Sequence, residues 1–244
     1  MLQWQINTHK MNKKIRILTV VFEPEIRGRD IPLFRGAVIQ KAGADCVLFH
    51  NHQNDSFRYS YPLIQYKRIN HHAAIVCVDQ GVDEIYRLFN QPDWKVRIGR
   101  EETELKIIRL YINSYTLNVW EKFFTYKIFN WLPLNEKNFR KYLAFETDEQ
   151  RTELLKSILI ANILSFAKGV GWVIEPQQRI QIKDFQVLRK HTTYFKGNKL
   201  MAFDAMFSTN VFLPPNIGLG KAPSHGFGRV VSVRNQQKRT DSEA

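Results

Sequence analysis

The chain has little cysteine: of its 244 residues only Cys46 and Cys77 are thiols. That excludes a disulfide framework and a cysteine-based zinc site, and both lie inside apolar runs (ADCVLF and AAIVCVDQ), where they read as core residues. Long apolar runs are also missing, and none approaches the ~20 residues that a membrane helix requires. The opening MLQWQINTHKMNKK lacks the apolar centre of a signal peptide, so a cytoplasmic protein without a membrane partner is expected. Acids are scarce relative to bases, with 23 Asp and Glu against 36 Lys and Arg, a net charge of +13. Such a surface favours a polyanionic partner. Glycine is sparse too, at 12 residues, yet four of these fall within residues 218–228. What is plentiful is apolar and aromatic: 44% hydrophobic and 13% aromatic residues describe a globular chain with a sizeable core.

The run KKIRILTVVF reads as a first strand beginning near Lys14, being β-branched, apolar and of strand length. Asp30 is placed to cap a helix through IPLFRGAVIQKAG, with Pro32 in the first turn and Gly43 just beyond the end. DCVLFH, YPLIQYKRI and AAIVCVDQ then read as strands, VDEIYRLFN as a short helix, and WKVRIG as a strand that closes the unit. This order fits a ferredoxin-like split β-α-β unit over residues 1–100. ELKIIRLYI opens a second unit over 101–234. Its helix, TDEQRTELLKSILIANILSFAKG, starts with capping-box spacing at Thr147 and Gln150, follows one apolar face through Leu155, Leu159, Ile163 and Phe166, and meets Gly169 at its end. RIQIKDFQVL, TTYFKG, NKLMAFDAMFSTNVFL and GRVVSVR read as mainly antiparallel strands. The expected class is α+β, with tandem ferredoxin-like (RRM-like) domains and a disordered polar tail at 235–244.

The clustered glycines are Gly218, Gly220, Gly226 and Gly228, two Gly-x-Gly pairs in NIGLGKAPSHGFGRV. Glycine is demanded where the backbone takes positive φ or approaches another chain closely, and amides not covered by side chains can bind phosphate oxygens. A dinucleotide fingerprint would follow a strand and open a helix, whereas here a strand follows. The Gly-Lys-Ser/Thr ending of a nucleotide triphosphate loop is absent as well. Lys221 and Arg229 flank the loop as cations suited to a polynucleotide backbone.

This spacing, near the C-terminus of a basic chain of this length, resembles the glycine-rich loop of the CRISPR-associated endoribonucleases that cut repeat RNA, the Cas-six family. IPLFRGAVIQKAG, LFHNH and YPLIQYKRI resemble the N-terminal domain of its b-type branch. The resemblance implies tandem ferredoxin-like domains and metal-independent cleavage of a CRISPR repeat hairpin into guide RNAs, with no cofactor. Other CRISPR effector or adaptation proteins, or a second copy of the chain, are the further partners it allows. It also implies that Gly218, Gly220, Lys221, Ser224, His225, Gly226, Gly228 and Arg229 bind RNA.

A metal-free cut needs a base for the ribose 2′-OH, an acid for the departing 5′-oxygen, and cations for the phosphate. Histidine suits the first two near neutral pH. His50 and His52, in VLFHNHQND, share one side of an extended segment, and the resemblance maps the catalytic histidine onto this pair. Lys41 is a candidate to offset phosphate charge and Tyr59 to orient the ribose or leaving oxygen. Each also has a plain structural reading: exposed loop histidines, a solvated helix lysine, a packed strand tyrosine. Two other functions remain open at this point. One is an RNA-binding protein of the same fold that does not cut. The other is a metal-dependent nuclease or phosphoesterase using Asp79, Asp83 and Glu84, a trio that also suits the start of a helix.

Overall fold

The structure, a computed structural model, describes residues 12–43 and 61–233. Strand β1 (Lys13–Glu25) is buried on both faces: Ile15 and Ile17 join one core cluster, and Leu18, Val20 and Phe22 the other. Cover on both sides explains why its sequence is a continuous apolar run and not an alternation. Helix α1 (Ile31–Ala42) begins with Pro32 in its first turn and ends where Gly43, at φ +100°, returns its N–H to the Ile39 carbonyl. The expected cap at Asp30 is not formed. Its carboxylate instead turns back to accept from the Arg27 backbone N–H and Nε, both at 3.1 Å, and closes the short 3-10 turn Gly28–Asp30.

Strands β2 (Ile64–Ile69) and β3 (His72–Val78) form a hairpin whose turn residues Asn70 and His71 take positive φ. Two single-turn helices follow, α2 (Gly81–Glu84) and α3 (Tyr86–Phe89), in place of the one short helix expected. β4 (Lys95–Ile98) was expected to close the first sheet, but it pairs with β5 (Glu101–Glu104) in a separate ribbon. It spans only four residues, and its Val96 is spent in the core under α1. The expected DCVLFH strand lies outside the described residues, as does the polar tail at 235–244.

The first sheet is completed by β6 (Ile107–Leu117), in the order β2-β3-β1-β6 with every pairing antiparallel. From its sequence this strand is expected to open the second unit. It belongs to the first because it pairs with β1 from Lys13↔Leu117 to Phe22↔Ile107, satisfying the backbone groups on that edge of β1. The second sheet, in the order β10-β7-β9-β8, starts at β7 (Val119–Trp131), which the sequence reading leaves without an element. Its other strands are β8 (Ile182–Phe195), β9 (Asn198–Val211) and β10 (Arg229–Ser232).

Between β7 and β8 lie α4 (Glu136–Ala144) and the long α5 (Asp148–Gly169). The capping box of Thr147 and Gln150 starts α5 as expected, and Leu155, Leu159, Ile163 and Phe166 are buried. They pack into one core with Tyr126, Phe203 and Phe207 of the second sheet and Ile17, Val76 and Val78 of the first. The chain is thus α+β, with two antiparallel sheets in a tandem ferredoxin-like arrangement. Among the described residues no helix is long and apolar enough to cross a membrane.

Candidate functional site

Residues 216–230 form a narrow hairpin that leaves β9 and returns into β10. Asn216 N–H donates to the Val230 carbonyl, Val230 N–H to Ile217, and Leu219 N–H to Gly228. The loop is bonded on both flanks. Lys221 N–H reaches the Leu132 carbonyl and Gly228 N–H that of Asn130, while Gly218 N–H donates 2.8 Å to Oε1 of buried Gln65 on β2.

The four glycines are required by this packing. A Cβ on Gly228 would stand 1.8 Å from the Leu219 carbonyl oxygen, and one on Gly226 2.5 Å from Ile31 Cδ1. One on Gly220 would meet the Trp131 ring nitrogen at 2.7 Å, and one on Gly218 Lys67 Nζ at the same distance. Gly220, Gly226 and Gly228 also take positive φ. The amides of Gly218, Gly226 and Gly228, expected to cradle phosphate, bond to protein oxygens. What the loop offers a ligand is therefore carried by its side chains and by the cations beneath it.

Those cations converge. Lys67 is fully buried in β2 and its Nζ donates 2.8 Å to the Pro223 carbonyl. Burial, with Arg229 adding repulsion, pushes its pKa down to about 7. Arg229 is held below the usual arginine range by burial and by Arg68. Its guanidinium lies over the Phe129 ring at 5.6 Å and donates to Asn216 Oδ1. His225 ends the 3-10 turn Pro223–His225, which also carries Ser224. Burial, followed by Arg35 and Lys196, pushes its pKa down to about 4, so the ring is neutral at physiological pH. Phe195 packs edge-on against it at 5.0 Å, brought there by the β8–β9 turn at Lys196 and Gly197, both at positive φ. Lys221 is exposed at the loop's outer side.

Lys41 lies elsewhere. It sits in the last turn of α1, and its Nζ is 2.6 Å from Asp93 Oδ1. Gly226 meets α1 at Ile31, ten residues earlier, about 15 Å along the helix. His50, His52 and Tyr59 lie outside the described residues. The acidic trio is taken up by ion pairs: Asp79 with Lys13, Asp83 with Arg16, and Glu84 with Arg87. Among the described residues no group of three or more metal-binding side chains is assembled.

Sequence reasoning missed Arg35, Gln65, Lys67, Arg68, Phe195 and Lys196. In YPLIQYKRI the polar residues Gln65 and Lys67 alternate with Ile64 and Tyr66, the pattern of a strand with one face in water. In the folded protein that face is buried under the glycine loop.

A tandem ferredoxin-like chain whose C-terminal glycine hairpin is clamped onto the first sheet amid cations defines a class of protein. Within it, the chain matches the Cas6b N-terminal domain over residues 13–116 and the Cas6b C-terminal domain over residues 118–233. It belongs to the Cas6b family. A crystal structure of Cas6b superposes with a TM-score of 0.82 at 26% identity, covering 91% of this chain and 100% of that one. A crystal structure of a CRISPR RNA processing endoribonuclease Cas6b gives a TM-score of 0.67 at 24% identity with the same coverage. An uncharacterised protein of Methanocaldococcus jannaschii is 34% identical over 129 residues, 50% of this chain and 85% of that protein.

Proposed function

We propose that this chain is a CRISPR RNA-processing endoribonuclease that cuts repeat RNA without a metal ion. The ribose 2′-oxygen attacks the adjacent phosphorus as a base removes its proton, and the P–O5′ bond breaks as an acid protonates the leaving oxygen. The products carry a 2′,3′-cyclic phosphate and a 5′-OH. His50 and His52, tethered between α1 and β2, supply the acid–base work. Tyr59 orients the ribose or leaving oxygen. Lys41 offsets phosphate charge, which requires it to leave Asp93 when RNA binds. Lys221, Ser224, His225 and Arg229 hold the RNA backbone beside the glycine loop.

The observation that carries this reading is the convergence of Arg35, Lys67, Lys196 and Arg229 on the glycine loop of a Cas6b-family chain. A basic surface around this loop attracts the phosphates of an RNA backbone. The test incubates the protein with the repeat RNA of its own locus in excess chelator and identifies the ends. Cyclic phosphate and 5′-OH ends are expected. Chelator-blocked cutting, or 3′-OH and 5′-phosphate ends, overturns the mechanism; binding without cutting overturns the enzyme assignment.

A further inference from the structure

A second site lies at the other end of the second sheet. The start of β7 and the segment ahead of β8 enclose an open cleft of about 450 Å³, lined by Trp120, Phe123, Gln177, Arg179 and Gln181 among others. A cleft of this volume is large enough for a small ligand. Asn210 of β9 fixes the wall: its Oδ1 accepts from Gln181 N–H at 2.8 Å and its Nδ2 donates to the Arg179 carbonyl at 2.9 Å. Its own amide is thereby used up, while the side chains of Gln177, Arg179 and Gln181 are exposed.

Trp120 Nε1 is buried and has no hydrogen-bond partner among the described residues, an orphan donor that calls for an acceptor. Its ring edge packs on Phe124, and Lys122 Nζ lies 5.6 Å from its centre. Lys183 Nζ lies 4.1 Å from the centre of the Phe123 ring. Two aromatic rings, carboxamides and flanking lysines are what a single-stranded nucleic acid requires: a surface to stack on, hydrogen-bonding groups for a base edge, and cations for its phosphates. Glu121 also lines the cleft, so the interior suits the amino groups of a base and repels a phosphate.

One face of β7 runs from the cleft towards the glycine loop. Phe123, Thr125, Lys127 and Phe129 alternate along β7 and so share one face, half-buried throughout, and Arg229 lies over Phe129 at its far end. Phe123 to Phe129 is six residues, about 20 Å of strand. This face is the shortest route along β7 between the loop and the cleft.

We infer that the cleft captures one unpaired base of the RNA, some 20 Å from the glycine loop; the inference rests on the RNA-processing reading above. The test measures the affinity of the full chain for its repeat RNA at several salt concentrations. Trp120→Ala should weaken binding about tenfold or more, as loss of a stacking platform does, and Trp120→Phe, which keeps a ring but not the Nε1–H, should fall between Trp120→Ala and the unaltered chain. Gln177→Ala with Gln181→Ala, exposed and neutral, should weaken binding without changing its salt slope, unlike loss of a phosphate contact. This pair carries the test should Trp120→Ala fail to fold. If the unaltered chain binds no repeat RNA, the functional reading falls. If it binds and the Gln177/Gln181 variant, with any folded Trp120→Ala, binds equally well, the base pocket alone falls. Displacement of the RNA by AMP or UMP at micromolar concentration would also overturn it, by making the cleft a mononucleotide site.

Discussion

Lys67 Nζ donates to the carbonyl oxygen of Pro223, 156 residues further along the chain, and so ties β2 of the first sheet to the turn that carries Ser224 and His225. Because the amine is fully buried with Arg229 nearby, it gives up its proton near pH 7, against 10.5 for an ordinary lysine. The unfolded chain therefore holds more protons between those values, and deprotonation favours folding. Stability contributed at this site should rise as pH increases from about 7 towards 10. Denaturant melts of the wild type and Lys67→Met should show their stability difference shifting towards the wild type over that window, by about 1 to 4 kcal/mol in all. A pH-independent difference would mean that Lys67 titrates normally.

Gly228→Ala should be severe, because its Cβ would stand 1.8 Å from the Leu219 carbonyl at φ +64°. Gly171→Ala takes a similar φ of +66° with nothing within 4 Å. The second substitution should cost about 1 to 2 kcal/mol, the strain of a left-handed residue alone, and the first clearly more. Equal losses in equilibrium unfolding would show that the loop yields at no cost.

Replacing His50 and His52 together by alanine should lower the single-turnover cleavage rate by ~10² to 10⁴ while the protein still binds RNA. Wild-type cutting by the double variant would remove the pair from the mechanism.

His225 separates two sources of pH dependence. Buried beside Arg35 and Lys196, it has a pKa near 4 and is neutral across pH 5 to 8. Its contribution to stability is present above about 6.5 and is lost as pH falls through 4, since the unfolded chain takes up the proton first. An inflection in cleavage rate between pH 5 and 8 should therefore persist in His225→Asn. Its disappearance would transfer the titration to His225.

RNA affinity should fall steeply with salt, because phosphate contacts release counterions. Lys221→Ala should reduce the slope of log affinity against log salt by about one. An unchanged slope would place Lys221 away from the RNA.

Local rules made much of this protein readable. The capping box of Thr147 and Gln150 and the stripe from Leu155 to Phe166 set out α5, because helix starts and apolar faces are encoded within a few residues. Gly43 ended α1 as read, at positive φ. Pairing choices were not readable in the same way. Ile107–Leu117 has the character of a strand wherever it goes, and only the open edge of β1 assigns it to the first sheet. Asp30 suits a cap, yet Arg27 competes for its carboxylate.

By itself, then, the sequence determined the charge, the long helix, most strands, and the place where the backbone must bend beyond what a side chain tolerates. Only the tertiary structure decided what the glycines are for and which polar residues surround them. Gly218, Gly226 and Gly228 spend their amides on protein oxygens, and Gln65 and Lys67, patterned as a wet face, are buried beneath them. The physical reason is that burial and bonding at this site depend on two segments some 150 residues apart meeting face to face. Spacing within either segment records the need for close approach but not the partner that approaches.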